Sequence, residues 1–169
     1  MYPVTQIIRH NERQLAQVAL SGKAALNLTE ITGVEGSTIH RLLGYKQDGG
    51  FSHNRSNPLM YDVIILDEAS MVDERVFLCL LEAIPNGTKL IILGDTGQLE
   101  PIGIGCVFRD IIDSKKIPHT HFNKIFRQAE KSGIITSSRE VYDGIPIMEP
   151  RKYTTEIRGE LKDFELIGI

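Results

Sequence analysis

The side chains in this sequence that could do chemistry lie in three stretches: Asp67 and Glu68 in YDVIILDEASMVD, Asp95 and Gln98 in KLIILGDTGQLEPIGIG, and Arg127 in KIFRQAEKS. Four branched apolar residues, Val63 to Leu66, run straight into the two acids. Such a run reads as a strand buried on both faces with carboxylates at its C-terminal end. Open α/β sheets bind their ligands at that end. A carboxylate held there can coordinate Mg²⁺, largely through water, while its neighbour orients or deprotonates the water that attacks the γ-phosphorus of a nucleoside triphosphate. This is Walker B chemistry. Two solvated acids favouring the N-terminus of the next helix would leave the same isolated text.

Asp95 ends a second apolar run, and Gln98 follows three residues on. Placed beside Asp67 and Glu68 by a parallel sheet, the uncharged amide of Gln98 could hydrogen-bond both a γ-phosphate and the attacking water, as a sensor of nucleotide state. Gly94, Gly97, Gly103 and Gly105 would let the loop rearrange between states, although an ordinary Gly-rich turn has the same composition. In the third stretch Ile125 and Phe126 would pack while Arg127 and Gln128 project. A guanidinium aimed at a γ-phosphate stabilises transition-state charge, by about 10³ to 10⁵ in rate. A solvated surface arginine is the ordinary alternative.

The elements that must position these groups are legible in part. Val4 to Arg13 reads as a helix and Gln14 to Leu20 as a weak strand. Ser21 can cap a helix from about Gly22 to Ile31, with Ala24, Ala25, Leu28 and Ile31 as its apolar stripe and Gly33 as its stop. Thr38 or Ser37 can cap a short helix through Ile39, Leu42 and Leu43, ending at Gly44. Lys46 to Pro58 is loop by composition. Asp73 can cap a helix with Val76, Phe77, Leu80, Leu81 and Ile84 on one face, ahead of the strand Lys89 to Asp95. Strand, helix, strand in that order implies a right-handed parallel crossover, hence an α/β sheet. A loop over Gly97 to Gly105, a helix from Cys106 to Ile112, a strand from His119 to Ile125 and a helix from Ser132 to Tyr142 complete the series. Pro146 to Thr155 looks irregular, and Phe164 to Ile169 reads as a closing strand.

A chain of 169 residues, 41% hydrophobic and 24% charged, suits one globular domain with a sizeable core and a short tail. Cys79 and Cys106 are too far apart in sequence to suggest a CxxC metal site or a disulfide framework, so reduced thiols are expected. No apolar run approaches the roughly 18 residues of a membrane span and no signal-peptide pattern opens the sequence, which predicts a soluble cytoplasmic protein without a membrane partner. The net charge of −3 carries no general nucleic-acid signature, so any such contact must be local. Residues 1–60 carry six Lys or Arg against four Asp or Glu, the remainder thirteen against eighteen, which puts the basic share on the N-terminal side.

Together the three stretches resemble the RecD-like superfamily 1 DNA helicases, which include the exodeoxyribonuclease V alpha chain. VIILDEASMVD is similar to that family's motif II, LIILGDTGQLEPIGIG to motif III and KIFRQAEKSGII to motif IV. LSGKAALNLTEITG resembles motif Ia, and STIHRLLGY the DNA-contacting segment after it; Asp163-Phe164 resembles the DF-containing strand of family tails. The resemblance implies an α/β fold of the RecA-like, P-loop NTPase type, a parallel sheet flanked by helices. It implies Asp67 as the Mg²⁺ ligand, Glu68 as catalytic base, Gln98 with Gly94 and Asp95 as the nucleotide-sensing loop, and Arg127 as arginine finger. Ser21, Gly22, Lys23, Thr38 and His40 would line a single-stranded DNA path, where hydroxyls, helix N-terminal amides and a lysine suit phosphates. A packed structural histidine is an equal account of His40. The implied cofactors are ATP and Mg²⁺, and the implied partners are single-stranded DNA and other exodeoxyribonuclease V subunits. The implied activity is 5′ to 3′ translocation in recombination and repair.

The sequence departs from this family at one essential place. It contains no Walker A loop, GxxxxGK[ST], whose amides and lysine hold the β- and γ-phosphates. Gly22-Lys23 is no substitute, because Ala24 follows where Ser or Thr must bind Mg²⁺ and Gln17 stands where the first glycine should. The expectation is an incomplete RecA-like domain (1A) over residues 1–145, its P-loop segment absent, and a tail over 146–169 leading toward a second motor domain. Such a polypeptide alone should neither hydrolyse ATP efficiently nor unwind DNA. The competing expectation is a non-catalytic DNA-binding or subunit-interface module that has lost its P-loop, against which stands the presence of Asp67, Glu68, Gln98 and Arg127 together.

Overall fold

The most apolar short runs of the chain become the centre of a parallel sheet. β1 (Leu15–Ala19) pairs with β2 (Gly36–Thr38) on one side and β3 (Val63–Leu66) on the other, and β3 pairs with β4 (Lys89–Ile92). The order is β2-β1-β3-β4, with every pairing parallel. Parallel neighbours need crossovers; here α2 (Gly22–Thr32) links β1 to β2, α3 (Ile39–Leu43) and the loop after it link β2 to β3, and α4 (Glu74–Ala83) links β3 to β4. α1 (Tyr2–His10) precedes the sheet and α5 (Val107–Ser114) follows it. The computed structural model describes residues 2–122, 131–147 and 155–167, and its two compact units are Met1–Pro118 and His119–Ile169.

The core of the first unit lies against one face of the sheet, where Val18, Ile64 and Leu66 pack with Ile39, Leu43 and Leu80, all without solvent contact. On the other face Ala19 meets Ala24 and Leu28 of α2. Gln17 is buried in the middle of β1, and its amide donates to Thr32 Oγ1 (2.7 Å) and to the carbonyl of Val34, tying the α2–β2 connection to the sheet. The helix starts follow the sequence signals: Ser21, Thr38 and Asp73 each accept a backbone N–H of the following first turn, at 3.1, 3.2 and 2.9 Å. Each such cap stabilises its helix by about 1 kcal/mol. Gly33 and Gly44 end α2 and α3 in the left-handed region, both at φ 67°.

Several expectations need correction. Ile31 and Leu81, expected on apolar stripes, are 61% and 46% exposed, while Thr32 and Ala83 are buried in their place. α2 meets the sheet along Ala24, Leu28 and Thr32, spaced by four, which turns Ile31 outward. β2 is not signalled by the sequence, because Gly-Ser-Thr has no apolar alternation; its pairing is imposed by β1. Residues 119–122 of the expected strand His119–Ile125 have no regular structure, and its remainder lies outside the described residues. Among the described residues β4 forms one edge of the sheet, and its Leu90, Ile91 and Ile92 are only half-buried, whereas all four residues of β3 are buried.

In the second unit, Ser132 caps α6 (Gly133–Tyr142), and β5 (Thr155–Arg158) pairs antiparallel with β6 (Phe164–Ile167). The Asp163 carboxylate accepts the Ser132 hydroxyl and the Gly133 N–H, both at 2.7 Å. Those two donors, the hydroxyl foremost, hold Asp163 below the usual carboxylate range. Two glycines meet where helix and strand pair cross: a Cβ on Gly133 would lie 2.2 Å from the Arg158 carbonyl oxygen, and one on Gly159 would lie 2.1 Å from the Gly133 nitrogen. The Arg158 guanidinium binds Glu156 at 2.7 Å, Glu140 and the Ile147 carbonyl, and the carboxylates raise its pKa above the ordinary arginine value.

Candidate functional site

Because every pairing is parallel, the sheet delivers the C-terminal ends of all four strands to one edge. Thr38 is the last residue of β2, Ser21 lies two past β1, Asp67 directly follows β3, and Gly94 and Asp95 lie just beyond β4. Asp67 prolongs the pairing by one bond, its N–H donating to the Val18 carbonyl at 2.8 Å. Its Oδ1 accepts the Glu68 N–H at 2.9 Å. Glu68 then adopts φ 53° and ψ 35°, the left-handed region that a glutamate rarely occupies. A 3₁₀ turn follows over Ala69–Met71, and the Ala69 N–H donates to the Leu93 carbonyl at 2.9 Å, so the reversal is fastened to the end of β4. Both carboxylates are half-buried at the strand tip.

The β4 turn crosses directly over that reversal. A Cβ on Gly94 would stand 2.9 Å from the Phe108 ring and 3.1 Å from the Ser70 nitrogen, so only glycine passes without displacement. Asp95 organises the turn, its Oδ1 accepting the Gly97 N–H (2.9 Å) and its carbonyl the Gln98 N–H (3.1 Å). The Gln98 side chain is exposed and makes no hydrogen bond among the described residues. Arg109 of α5 pairs with Glu100 at 2.5 Å and braces this loop. Ser70, Asp95, Thr96, Gln98 and Arg109 border a depression of about 10 Å³, room for roughly one water. The Ser70 hydroxyl is buried there without a partner among the described residues.

On the other side of Asp67, the Ser21 and Thr38 hydroxyl oxygens serve as helix caps, and Gly22 and Lys23 lie exposed in the first turn of α2. Lys23, Arg41 and Lys46 form no ion pair among the described residues. His40 is half-buried and packs edge-on against Tyr45, with ring centroids 5.7 Å apart, and against Phe51 at 5.9 Å. The fold thus brings Ser21 to Lys23, Thr38, Asp67, Glu68, Gly94 and Asp95 to one edge, with Gln98 in the adjoining turn. Arg127 lies outside the described residues. Sequence reasoning missed the Glu100–Arg109 brace and the Tyr45 and Phe51 rings; Phe51 within GGF was the one signal that the polar loop holds an aromatic anchor.

A parallel sheet with paired carboxylates at the tip of one strand and a Gly-rich turn at the tip of its neighbour defines a RecA-like α/β domain. The AAA domain family matches residues 1–157, and the chain belongs to that family. The ATP-dependent RecD2 DNA helicase of Deinococcus radiodurans is 40% identical over 126 residues, which cover 75% of this chain and 17% of that protein. The RecBCD enzyme subunit RecD of Mycolicibacterium smegmatis is 36% identical over 118 residues, 59% of this chain and 21% of that one. The chain thus spans about a fifth of the length of these relatives. Among solved structures, Pif1 from Bacteroides sp. in complex with ADP-AlF4 is 20% identical and superposes with a TM-score of 0.36, over 66% of this chain and 29% of that one. No helix among the described residues is long and apolar enough to cross a membrane.

Proposed function

We propose that this chain is part of an ATP-dependent DNA helicase of the RecD type, with residues 1–145 forming most of a first motor domain. The observation that carries the proposal is the fastening of the Asp67–Glu68 reversal beneath the Gly94–Gln98 turn, beside the open first turn of α2. Similarity to RecD2 and RecD proteins supports it. The donor set fits Mg²⁺ held with a nucleotide. Among the described residues no group of three or more His, Cys, Asp or Glu could cage a metal, whereas Mg²⁺ in such sites takes one or two carboxylates and completes its shell with water and phosphate. When bound, Mg-ATP supplies the scissile phosphoanhydride and the neutralisation of its charge.

Asp67, anchored through Oδ1 to its own turn, would offer its second oxygen to the metal shell. Glu68, at the turn with a left-handed backbone, would take the proton of the attacking water. Gln98 orients that water and reports the γ-phosphate through the turn that Asp95 organises. Arg127 would serve as the arginine finger. The phosphate cradle must come from outside this sequence, which has no Walker A loop. Single-stranded DNA would follow Ser21, Gly22, Lys23, Thr38 and His40, with other exodeoxyribonuclease V subunits as protein partners and the cytoplasm as the setting.

The test uses the polypeptide encoded by the full open reading frame that contains this sequence. DNA-stimulated ATP hydrolysis is expected, with Glu68→Gln lowering kcat by about 10² to 10⁴ and leaving DNA affinity intact. An unchanged rate in that variant overturns the assignment of the base. Salt-sensitive DNA binding without any turnover would make the protein a non-catalytic module instead.

A further inference from the structure

The segment after α3 has the composition of a plain loop, yet it folds back on itself around three rings. Tyr45 and Phe51 form an antiparallel bridge, reinforced by Lys46 N–H to the Gly50 carbonyl (2.9 Å) and Ser52 N–H to the Gly44 carbonyl (3.0 Å). Gly44, at φ 67°, starts the reversal, and a Cβ there would stand 2.9 Å from that of Ser52. His40, Tyr45 and Phe51 are mutually in contact, with centroids 5.6 to 5.9 Å apart. Phe51 also packs against the main core. Tyr45 is different: it is 57% exposed, held from two sides by its neighbours and open on the rest.

We infer that Tyr45, seated on His40 and Phe51, is a stacking platform for a base of single-stranded DNA. A large ring fixed by packing meets a base with little further loss of side-chain freedom. Base stacking on aromatic side chains is tolerant of sequence. The surrounding charge suits phosphates, since Arg41 and Lys46 are exposed cations with no ion pair among the described residues and Asp48 is the lone acid between Gly36 and Asn57. The platform follows directly on Thr38, where β2 reaches the edge of the sheet that carries the carboxylates. Were the rings only a brace for the loop, burying His40 and Phe51 would suffice and the outer face of Tyr45 would have no task.

This inference rests on the DNA reading above, and the experiment separates the two. This chain is titrated with fluorescein-labelled oligo-dT and with an abasic oligonucleotide of equal length and charge. Oligo-dT is expected to bind about tenfold more tightly than the abasic strand. Tyr45→Ala should abolish the preference while leaving affinity for the abasic strand, and Tyr45→Phe should retain it. The sequence has no tryptophan, so Tyr45→Trp supplies a single indole whose fluorescence oligo-dT should quench and the abasic strand should not. Equal affinities for the two strands, a preference that survives Tyr45→Ala, or an unquenched indole overturns the platform while DNA binding stands. Failure of both strands to bind overturns the DNA reading itself.

Discussion

Two carboxylate sites in this molecule, built from similar parts, are organised in opposite ways. Asp163 follows the β5–β6 turn and accepts two donors at 2.7 Å, one of them the hydroxyl that caps α6. The carboxylates of Asp67 and Glu68, at the tip of β3, receive one hydrogen bond between them among the described residues, from the backbone of Glu68 to Asp67. In the second unit the Asp163 carboxylate is satisfied by the fold and holds helix to strand pair. At the sheet edge the fold places the two carboxylates and leaves them almost without partners among the described residues. The partnered carboxylate clasps the fold, and the two with almost none are the candidates for chemistry.

The contrast can be broken most forcefully at the glycine crossing. Gly133→Ala puts a methyl group 2.2 Å from the Arg158 carbonyl oxygen, and backbone must move. A loss of about 3 kcal/mol or more is expected for the second unit, read as faster amide exchange in α6 while Ile64 and Leu66 in β3 stay protected. At the sheet edge the opposite sign is expected. Glu68→Gly relieves the left-handed backbone and should stabilise the first unit by about 1 kcal/mol, seen as a raised denaturation midpoint, in the same protein that loses the proposed base. A destabilised Glu68→Gly protein would mean that the glutamate side chain, after all, has a packing role.

The smallest effect sharpens the comparison through pH. Hydrogen bonds lower the folded-state pKa of Asp163 beneath 3.8, so its contribution is fully present above that value and is lost as pH falls through the lower, folded one. The Gly133 amide resonance should therefore titrate with a midpoint below 3.8, and Asp163→Asn should flatten the curve. A midpoint above 3.8 would show that the clasp does not favour the ionised form.

What the sequence made legible was whatever could be decided locally. Ser21, Thr38 and Asp73 announce helix starts, Gly33 and Gly44 their ends, and VIIL the buried central strand, because caps, left-handed glycines and apolar runs act within a few residues. β2 and β5 were illegible because neither GST nor TEIR signals a strand by itself: GST becomes one through β1, on the far side of α2, and TEIR through β6, across a short turn. The same holds at the site. Asp67, Glu68 and the Gly94–Asp95 turn could be named from the text, since strand tips carry chemistry wherever a parallel sheet forms. The Glu100–Arg109 brace and the ring of His40, Tyr45 and Phe51 depend on how loops fold back, which no spacing rule encodes.

The exposed side of β4 has a further consequence, for handling the protein. Among the described residues no strand pairs with its outer edge, which leaves a row of backbone groups beside Leu90, Ile91 and Ile92, with Lys89 as the charge within the strand to deter another chain. Concentration then becomes a structural variable. At high concentration one copy's KLII can extend the sheet of another, so refolding yield should fall with protein concentration, and a lysine or proline placed in this strand would restore it more effectively than any change to the polar surface.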